Sequence, residues 1–315
     1  MAVHYLTYPV NITIPDQGPF SLALGFFDGI HKGHQAVIQS AIETAKESGM
    51  KSAVMTFDPH PSLVLGKGKD KVLYITPLEQ KIEILNDLGV DDIFIVRFTS
   101  EFSQLSPEQF VELFIKDLNV QHVTAGFDYS FGAFGKGSME MMRTLGEGFF
   151  NVTVIEKQIA GDEKISSTKI RHLLVEGEME EIHSLLGRPY RIDGFVVHGE
   201  KRGREIGFPT ANVQPYGGAY VPTTGIYAVR MELHGKLYDG VCSVGYNPTF
   251  NNPDIRDLTI EVHLLDFDRN IYGEEVSVLW YKRFRDELKF DSVEALIEEM
   301  ERDKEKAAAY LQSIE

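Results

Sequence analysis

Cysteine and tryptophan are the scarcest residues of this 315-residue chain, one of each, and Cys242 is its single thiol. A single thiol excludes an internal disulfide and fits a reducing cytosol. Positive charge is also short: 31 Lys and Arg face 47 Asp and Glu, leaving a net charge of −16. That balance argues against a nucleic-acid backbone or an anionic membrane as partner. It leaves room for small anions, because a local pocket can be basic on an acidic protein. No apolar run approaches the ~20 residues that span a bilayer. The stretch Met1-Ala-Val-His-Tyr-Leu-Thr-Tyr-Pro9 has neither the basic start nor the apolar centre of a signal peptide. A soluble, cytoplasmic protein is expected. Two nucleotide signatures are missing as well: no Gly-x4-Gly-Lys-Ser/Thr occurs, and no Gly-x-Gly-x-x-Gly follows an expected strand.

What is present is an ordinary globular composition, 43% hydrophobic and 25% charged, in a chain longer than one core usually supports. Two domains are therefore expected. Across 20–187, apolar runs of strand length (21–27, 52–57, 92–97, 121–126, 151–156) alternate with helical spacing (34–48, 77–88, 106–117, 168–186). Such alternation implies an α/β fold with a doubly wound parallel sheet, whose ligands sit beyond the carboxyl ends of the strands. Gly187 and Pro189 end the last helical pattern, so the domains are expected at 1–186 and 187–315. Beyond them lie short strands split by Gly, Pro and Asn turns, among them 226–233, 237–244, 258–265 and 276–283, with a hairpin at His234-Gly-Lys236. These suggest a small antiparallel β-barrel. A closing helix over 292–311 is expected, capped by Asp291 with Glu294 and buried along Val293, Leu296, Ile297, Met300, Ala307 and Leu311.

The densest chemistry of the first half lies in Leu22-Ala-Leu-Gly-Phe-Phe-Asp-Gly-Ile-His-Lys-Gly-His34. A strand, a glycine turn and a helix start fall within a dozen residues. Unpaired N–H groups and the helix dipole suit a phosphate there, and His31 and His34 add side-chain donors. Gly29 and Gly33 admit close backbone approach. A capping loop with incidental histidines, or a metal site of His31, His34 and His60, remain alternatives. Two further loops are expected on the same rim, Thr56-Phe-Asp-Pro-His-Pro61 and Gly126-Phe-Asp-Tyr-Ser-Phe-Gly132. Ser166, Ser167 and Thr168, followed by Lys169 and Arg171, offer another phosphate-holding helix start, or a plain Ser/Thr cap.

In the second half, His198-Gly-Glu-Lys-Arg-Gly-Arg-Glu-Ile-Gly-Phe-Pro-Thr-Ala-Asn212 places Gly199, Gly203 and Gly207 among Lys201, Arg202 and Arg204. It reads as a basic loop able to fold over phosphates, or as a solvated turn. Thr210 and Asn212 share one face of an extended segment and offer hard neutral oxygens suited to Mg²⁺. Glu261 shares a strand face with His263, away from Ile260 and Val262. On the barrel's inner side it would be a candidate general base, and on the outer side an ordinary surface carboxylate.

The Phe-Asp-Gly-x-His-x-Gly-His loop, Gly126-Phe-Asp-Tyr-Ser-Phe-Gly132 and Ile165-Ser-Ser-Thr-Lys-Ile-Arg171 resemble the adenylyltransferase half of prokaryotic bifunctional riboflavin kinase/FAD synthetases. Gly207-Phe-Pro-Thr-Ala-Asn212, Gly245-Tyr-Asn-Pro-Thr-Phe250 and the strand around Glu261 are similar to the kinase half. The resemblance covers essentially the whole chain. It implies ATP-dependent phosphorylation of riboflavin to FMN, then adenylylation of FMN to FAD with release of pyrophosphate. It implies that Gly25, Phe27, Gly29, His31, His34, Ser166, Ser167, Thr168 and Arg171 hold one nucleotide. Gly199, Lys201, Gly203, Arg204, Gly207, Thr210 and Asn212 would hold the other, with Thr210 and Asn212 on Mg²⁺ and Glu261 as base. Phe57, Pro59, His60, Pro61 and Asp128 would line one flavin, and Phe208 and Arg285 the second, with Arg285 in a closing flap. Flavins would be substrate and product rather than a resident cofactor, and a weak homo-oligomer is left open. A lone FMN adenylyltransferase, or a flavin-binding regulator with an inactive kinase module, are the alternatives.

Overall fold

The computed structural model describes residues 1–10, 18–66, 72–160, 163–199, 203, 206–248 and 256–314. They form two compact units, Met1–Ser167 and Thr168–Glu315.

The first unit is built on six parallel strands, β1 (Ala2–Leu6), β2 (Phe20–Leu24), β3 (Lys51–Asp58), β4 (Asp92–Arg97), β5 (Val120–Gly126) and β6 (Asn151–Ile155). They lie in the order β1-β4-β3-β2-β5-β6. Strand order reverses between β2 and β5, the point at which a doubly wound sheet opens a crevice at its carboxyl edge. Between the strands run α1 (Lys32–Ser48), α2 (Pro61–Leu65), α3 (Leu78–Asp87), α4 (Pro107–Val111) and α5 (Met139–Gly146). A π-helical turn, Glu112–Lys116, continues α4. Alternate residues of each strand feed separate cores. Leu22, Leu24, Met55, Phe94 and Val96 pack under Phe110 and Phe114. Ala23, Val54, Ile93 and Ile95 pack under Val37, Ile38, Ala41 and Ile42 of α1 and Leu85 of α3. Burial on both faces explains why these strands read as continuous apolar runs. The edge strand β1 carries His4 and two tyrosines close behind it, and lay outside the expected set.

A two-residue-per-strand hairpin, β7 (Ile159–Ala160) and β8 (Glu163–Lys164), precedes α6 (Ser167–Glu176). The helix expected over 168–186 is two, α6 and α7 (Met179–Leu186), because Gly177 turns the chain at φ 82°. Both belong with the barrel: the Thr223 N–H donates to Leu174 O at 3.0 Å, and Lys282 pairs with Glu180 at 3.0 Å.

The barrel is closed and antiparallel, from β9 (Tyr190–Val197), β10 (Ala211–Pro215), β11 (Gly225–Leu233), β12 (Lys236–Pro248), β13 (Arg256–Leu264) and β14 (Glu275–Arg285). Its circuit is β10-β13-β12-β11-β14-β9. Tyr190, Ile192, Tyr227, Val229, Cys242, Val244, Ile260, Val262, Val278 and Trp280 fill it. The last helix, α8 (Val293–Ser313), is capped by Ser292, whose hydroxyl accepts the Ala295 N–H, rather than by Asp291 with Glu294. Ala307 and Leu311 press on Ala228 and Tyr281, whereas Val293 is 54% exposed, so the buried stripe is confined to the second half of the helix.

Candidate active sites

In the first unit, β2 delivers a sharply turned loop to the carboxyl edge. Gly25 is buried, and Phe27, Gly29 and Ile30 all have positive φ (55°, 90° and 38°). Two bulky residues in the left-handed region are strained and persist only where the surroundings over-determine them. Here Phe27 and Ile30 are 2% and 0% exposed in the core under α1. Asp28 braces the loop from within: its carboxylate accepts the Ile75 and Thr76 N–H groups at 3.3 and 3.0 Å. The Ser167 hydroxyl donates to the Asp28 carbonyl at 2.8 Å.

The loop ends on His31, which caps α1 by accepting the His34 N–H on Nδ1 at 3.2 Å. The rings stack, with centroids 3.6 Å apart and planes 19° apart, and Phe27 meets the His34 ring edge-on. Burial, then His31, Lys81 and Lys164, hold the His34 pKa well below the usual 6.5, so the ring is neutral at pH 7. Its Nδ1 is buried with no hydrogen-bond partner among the described residues. Because His31 Nδ1 accepts a hydrogen bond, the His31 ring proton lies on Nε2. His31 thus offers an Nε2–H donor beside a helix start, with the neutral His34 ring stacked on it.

Around the same edge, His60 caps α2 by accepting the Ser62 N–H at 3.1 Å, between the half-buried Pro59 and Pro61. Phe26 meets the His60 ring edge-on at 4.4 Å, and the Tyr74 hydroxyl accepts the His60 N–H at 3.1 Å. Phe57 points the other way, 8% exposed among Phe98 and Phe102. It is a core residue, because strand alternation turns it to the face opposite its neighbours Thr56 and Asp58. Asp128 is exposed and paired with Lys164, whose ammonium lies over the Phe127 ring at 4.8 Å. Ser166 is half-buried ahead of α6, and Thr168 and Arg171 follow on that helix, exposed and half-buried respectively. Phe26, Tyr74 and Lys81 carry no motif. Lys81 nevertheless left a trace: with Leu78, Ile82 and Leu85 it completes an i, i+3, i+4, i+7 stripe, so a lysine stands where an apolar residue belongs.

In the barrel unit, Asn212 is paired directly with Glu261 across β10 and β13. Thr210, just before β10, donates its hydroxyl to Glu261 Oε2 at 3.3 Å. The pairing corrects the expected facing. Ile260 and Val262 fill the barrel, so Glu261 and His263 stand on its outer surface. Alternation along one strand fixes which residues share a face, but closure of the sheet decides which face is inside. Gly199 lies so close that a Cβ there would come within 2.3 Å of Asn212 Nδ2; one on Gly203 would come within 2.2 Å of Phe208 O. Phe208 is buried, with His263 at 5.2 Å and the Lys304 ammonium at 6.0 Å from its ring. Gly207 is exposed at φ 89°. Lys201, Arg202 and Arg204 lie outside the described residues. Arg285 is held by α8, in a bidentate ion pair with Asp303, itself 2% exposed, and at 3.6 Å from Glu299.

The hydroxyl, amide and carboxylate of Thr210, Asn212 and Glu261 are hard oxygen donors on one face, and they fit Mg²⁺ brought in on phosphates. Among the described residues no group of three His, Cys, Asp or Glu is placed to hold a metal by itself.

The FAD synthetase family model matches residues 13–169, and the riboflavin kinase model matches residues 186–311. The bifunctional riboflavin kinase/FMN adenylyltransferase of Listeria monocytogenes is 48% identical over the full length of both chains. That of Bacillus subtilis is 46% identical over 100% of this chain and 99% of its own. The chain belongs to this bifunctional family. A crystal structure described as a macrolide-efflux protein from Streptococcus pneumoniae is also similar, at 34% identity and TM-score 0.90 over 98% of this chain and 99% of that one. No helix among the described residues is long and apolar enough to cross a membrane. The two family matches fall on the two polar clusters, one in each.

Proposed function

We propose that the chain makes FAD from riboflavin in two steps at two separate sites. In the barrel unit, Glu261 takes the proton of the ribityl 5′-hydroxyl. The oxygen then attacks the γ-phosphorus of ATP, the bond to the β-bridging oxygen breaks, and FMN and ADP leave. Thr210 and Asn212 would hold Mg²⁺ with the phosphates, and the metal would neutralise charge as the phosphoryl group transfers. Gly199 and Gly203 let the loop backbone close on Asn212 and Phe208, and Lys201 and Arg204 are assigned to the phosphates by their charge. Phe208 is the apolar surface for the flavin. Arg285 serves by fixing the end of β14 to α8.

In the first unit, an FMN phosphate oxygen attacks the α-phosphorus of a second ATP. The bond to the α,β-bridging oxygen breaks and pyrophosphate leaves. No proton need be removed from the nucleophile, so positioning and charge stabilisation suffice. The Nε2–H groups of His31 and His34 and the start of α1 meet the phosphates, with Ser166 and Ser167 at the pyrophosphate end. Pro59, His60, Pro61 and Asp128, joined by Phe26 and Tyr74, line the flavin side. The observation that carries the reading is Glu261 beside Thr210 and opposite Asn212 in one unit, with a stacked histidine pair at a helix start in the other.

The functional division is placed at 186/187, supported by the riboflavin kinase match beginning at 186. Free riboflavin, FMN and ATP in the cytoplasm are the substrates, without nucleic acid or membrane as partner; the charge of −16 and the single Cys242 support this. Incubating the pure chain with riboflavin, ATP and Mg²⁺, and following flavins by chromatography, should show FMN rising first and FAD after it. FMN accumulation without FAD, or flavin binding without turnover, would refute the two-step reading.

A further inference from the structure

Lys81 is the most deeply buried cation of the first unit. It is 2% exposed, on α3 beneath the carboxyl ends of β2 and β3. Its ammonium donates to the Phe26 carbonyl at 2.7 Å and to Thr56 Oγ1 at 3.1 Å, and lies 4.3 Å from the centre of the Phe26 ring. Thr56 closes the triangle by donating to the same Phe26 carbonyl at 2.8 Å. No carboxylate among the described residues reaches ion-pair distance of it. Asp28 and Asp58 act on it only through space, and His34 feels its charge from α1. A buried ammonium without a counter-ion is expensive, and apolar replacements at such positions are often neutral or stabilising. Folding therefore does not explain this lysine.

What it touches does. Phe26 and Thr56 end the two central strands of the sheet, and Phe26 begins the strained turn that sets Phe27, Ile30 and the histidines. The Phe26 ring also carries His60 against its edge. One ammonium thus ties the loop proposed to meet the ATP phosphates to the one proposed to meet the flavin.

We propose that Lys81 is a positioning residue for adenylyl transfer, clamping Phe26 and Thr56 so that the phosphate loop and the flavin loop keep one fixed separation. The proposal rests on the two-site reading above. Burial lowers the Lys81 pKa to about 8 against the pull of Asp28 and Asp58, so the clamp loses its charge as pH rises through that value.

The test is made in the full chain, with riboflavin phosphorylation as the internal control. Lys81→Met should lower kcat for FMN adenylylation roughly 100-fold, the scale of an ångström of misplacement. Kinase turnover should stay within about twofold, and the melting temperature of the first unit should hold or rise at pH 7. Wild-type adenylylation should fall as pH rises through about 8, a limb that Lys81→Arg moves to higher pH and Lys81→Met removes. Unchanged kcat and an unchanged alkaline limb in Lys81→Met would overturn the role. So would a fall in melting temperature matching the fall in rate in both Lys81→Met and Lys81→Gln, since that marks a purely structural lysine. Absence of adenylylation in the wild type would instead overturn the two-site reading itself.

Discussion

The two units meet the same ligand chemistry, a nucleotide triphosphate and a flavin, with opposite architectures. In the first, the polar groups sit on loops beyond a parallel sheet, and backbone matters as much as side chain: a helix start, a turn with three positive-φ residues, N–H groups held by Asp28, and carbonyls held by Ser167 and Lys81. In the second, they sit on the strands themselves, with Asn212 and Glu261 paired on the outside of a closed barrel. A parallel sheet buries both faces and leaves only its edge for chemistry. An antiparallel barrel keeps one face outward along every strand and can use the strand as a rigid mount. The first site should therefore be sensitive to whatever braces its loops, and the second to single side chains on its wall.

The sharpest break between the units is expected at Glu261. Glu261→Ala should lower FMN formation by about 10³-fold or more, in the range of general-base removal, while FMN supplied directly is adenylylated at the normal rate. Equal loss of both activities in a coupled assay would sink the separation of sites. Next comes Arg285→Ala, which strands the 2%-exposed Asp303 carboxylate. Removing one partner of a buried pair costs about 3–5 kcal/mol, so scanning calorimetry should show the barrel transition moving down while that of the first unit holds.

At the first site, His31→Ala removes both a donor and the cap of α1. FAD formation should fall about 10²-fold, as for loss of one preorganised donor, with riboflavin phosphorylation intact; unaltered FAD synthesis would strip His31 of its assigned part. The smallest effect is a pH slope. Because His34 is held well below 6.5 in the folded chain, the unfolded chain binds its proton first as pH falls. The first unit should lose stability as pH drops below about 6.5, while its donors stay neutral and adenylylation holds. His34→Gln should flatten part of that slope in melting curves, and an identical slope would show that other groups carry it.

Much of this was legible from local pattern. The run at 92–97 became β4 residue for residue, because a strand buried on both faces leaves a continuous apolar signature, and the run at 151–156 became the half-buried edge strand β6 to within one residue. The His234-Gly235 turn, both at positive φ, stands where the sequence placed the hairpin. The motif around His31 announced a helix start. Less local facts were hidden. β1 pairs with β4 across more than 80 residues, and nothing in Ala2–Leu6 alone requires a sheet edge. Phe57 sits in an inviting Phe-Asp-Pro-His loop, yet strand alternation turns it into the core. Lys81 stands on the apolar stripe of α3, but only the packing of that face against Phe26 and Thr56 shows what its ammonium meets.

Residue chemistry and spacing by themselves determined that the chain has a parallel α/β part and a small barrel. These are encoded by periodicity and by short-range turn and cap geometry. Only the folded structure decided that Glu261 stands on the outer wall, that Arg285 is tied to α8, that the two histidines stack, and that an ammonium lies under the loop that follows β2. Each depends on which faces are enclosed when distant segments pack, and burial, not sequence separation, sets the charge and reach of a side chain.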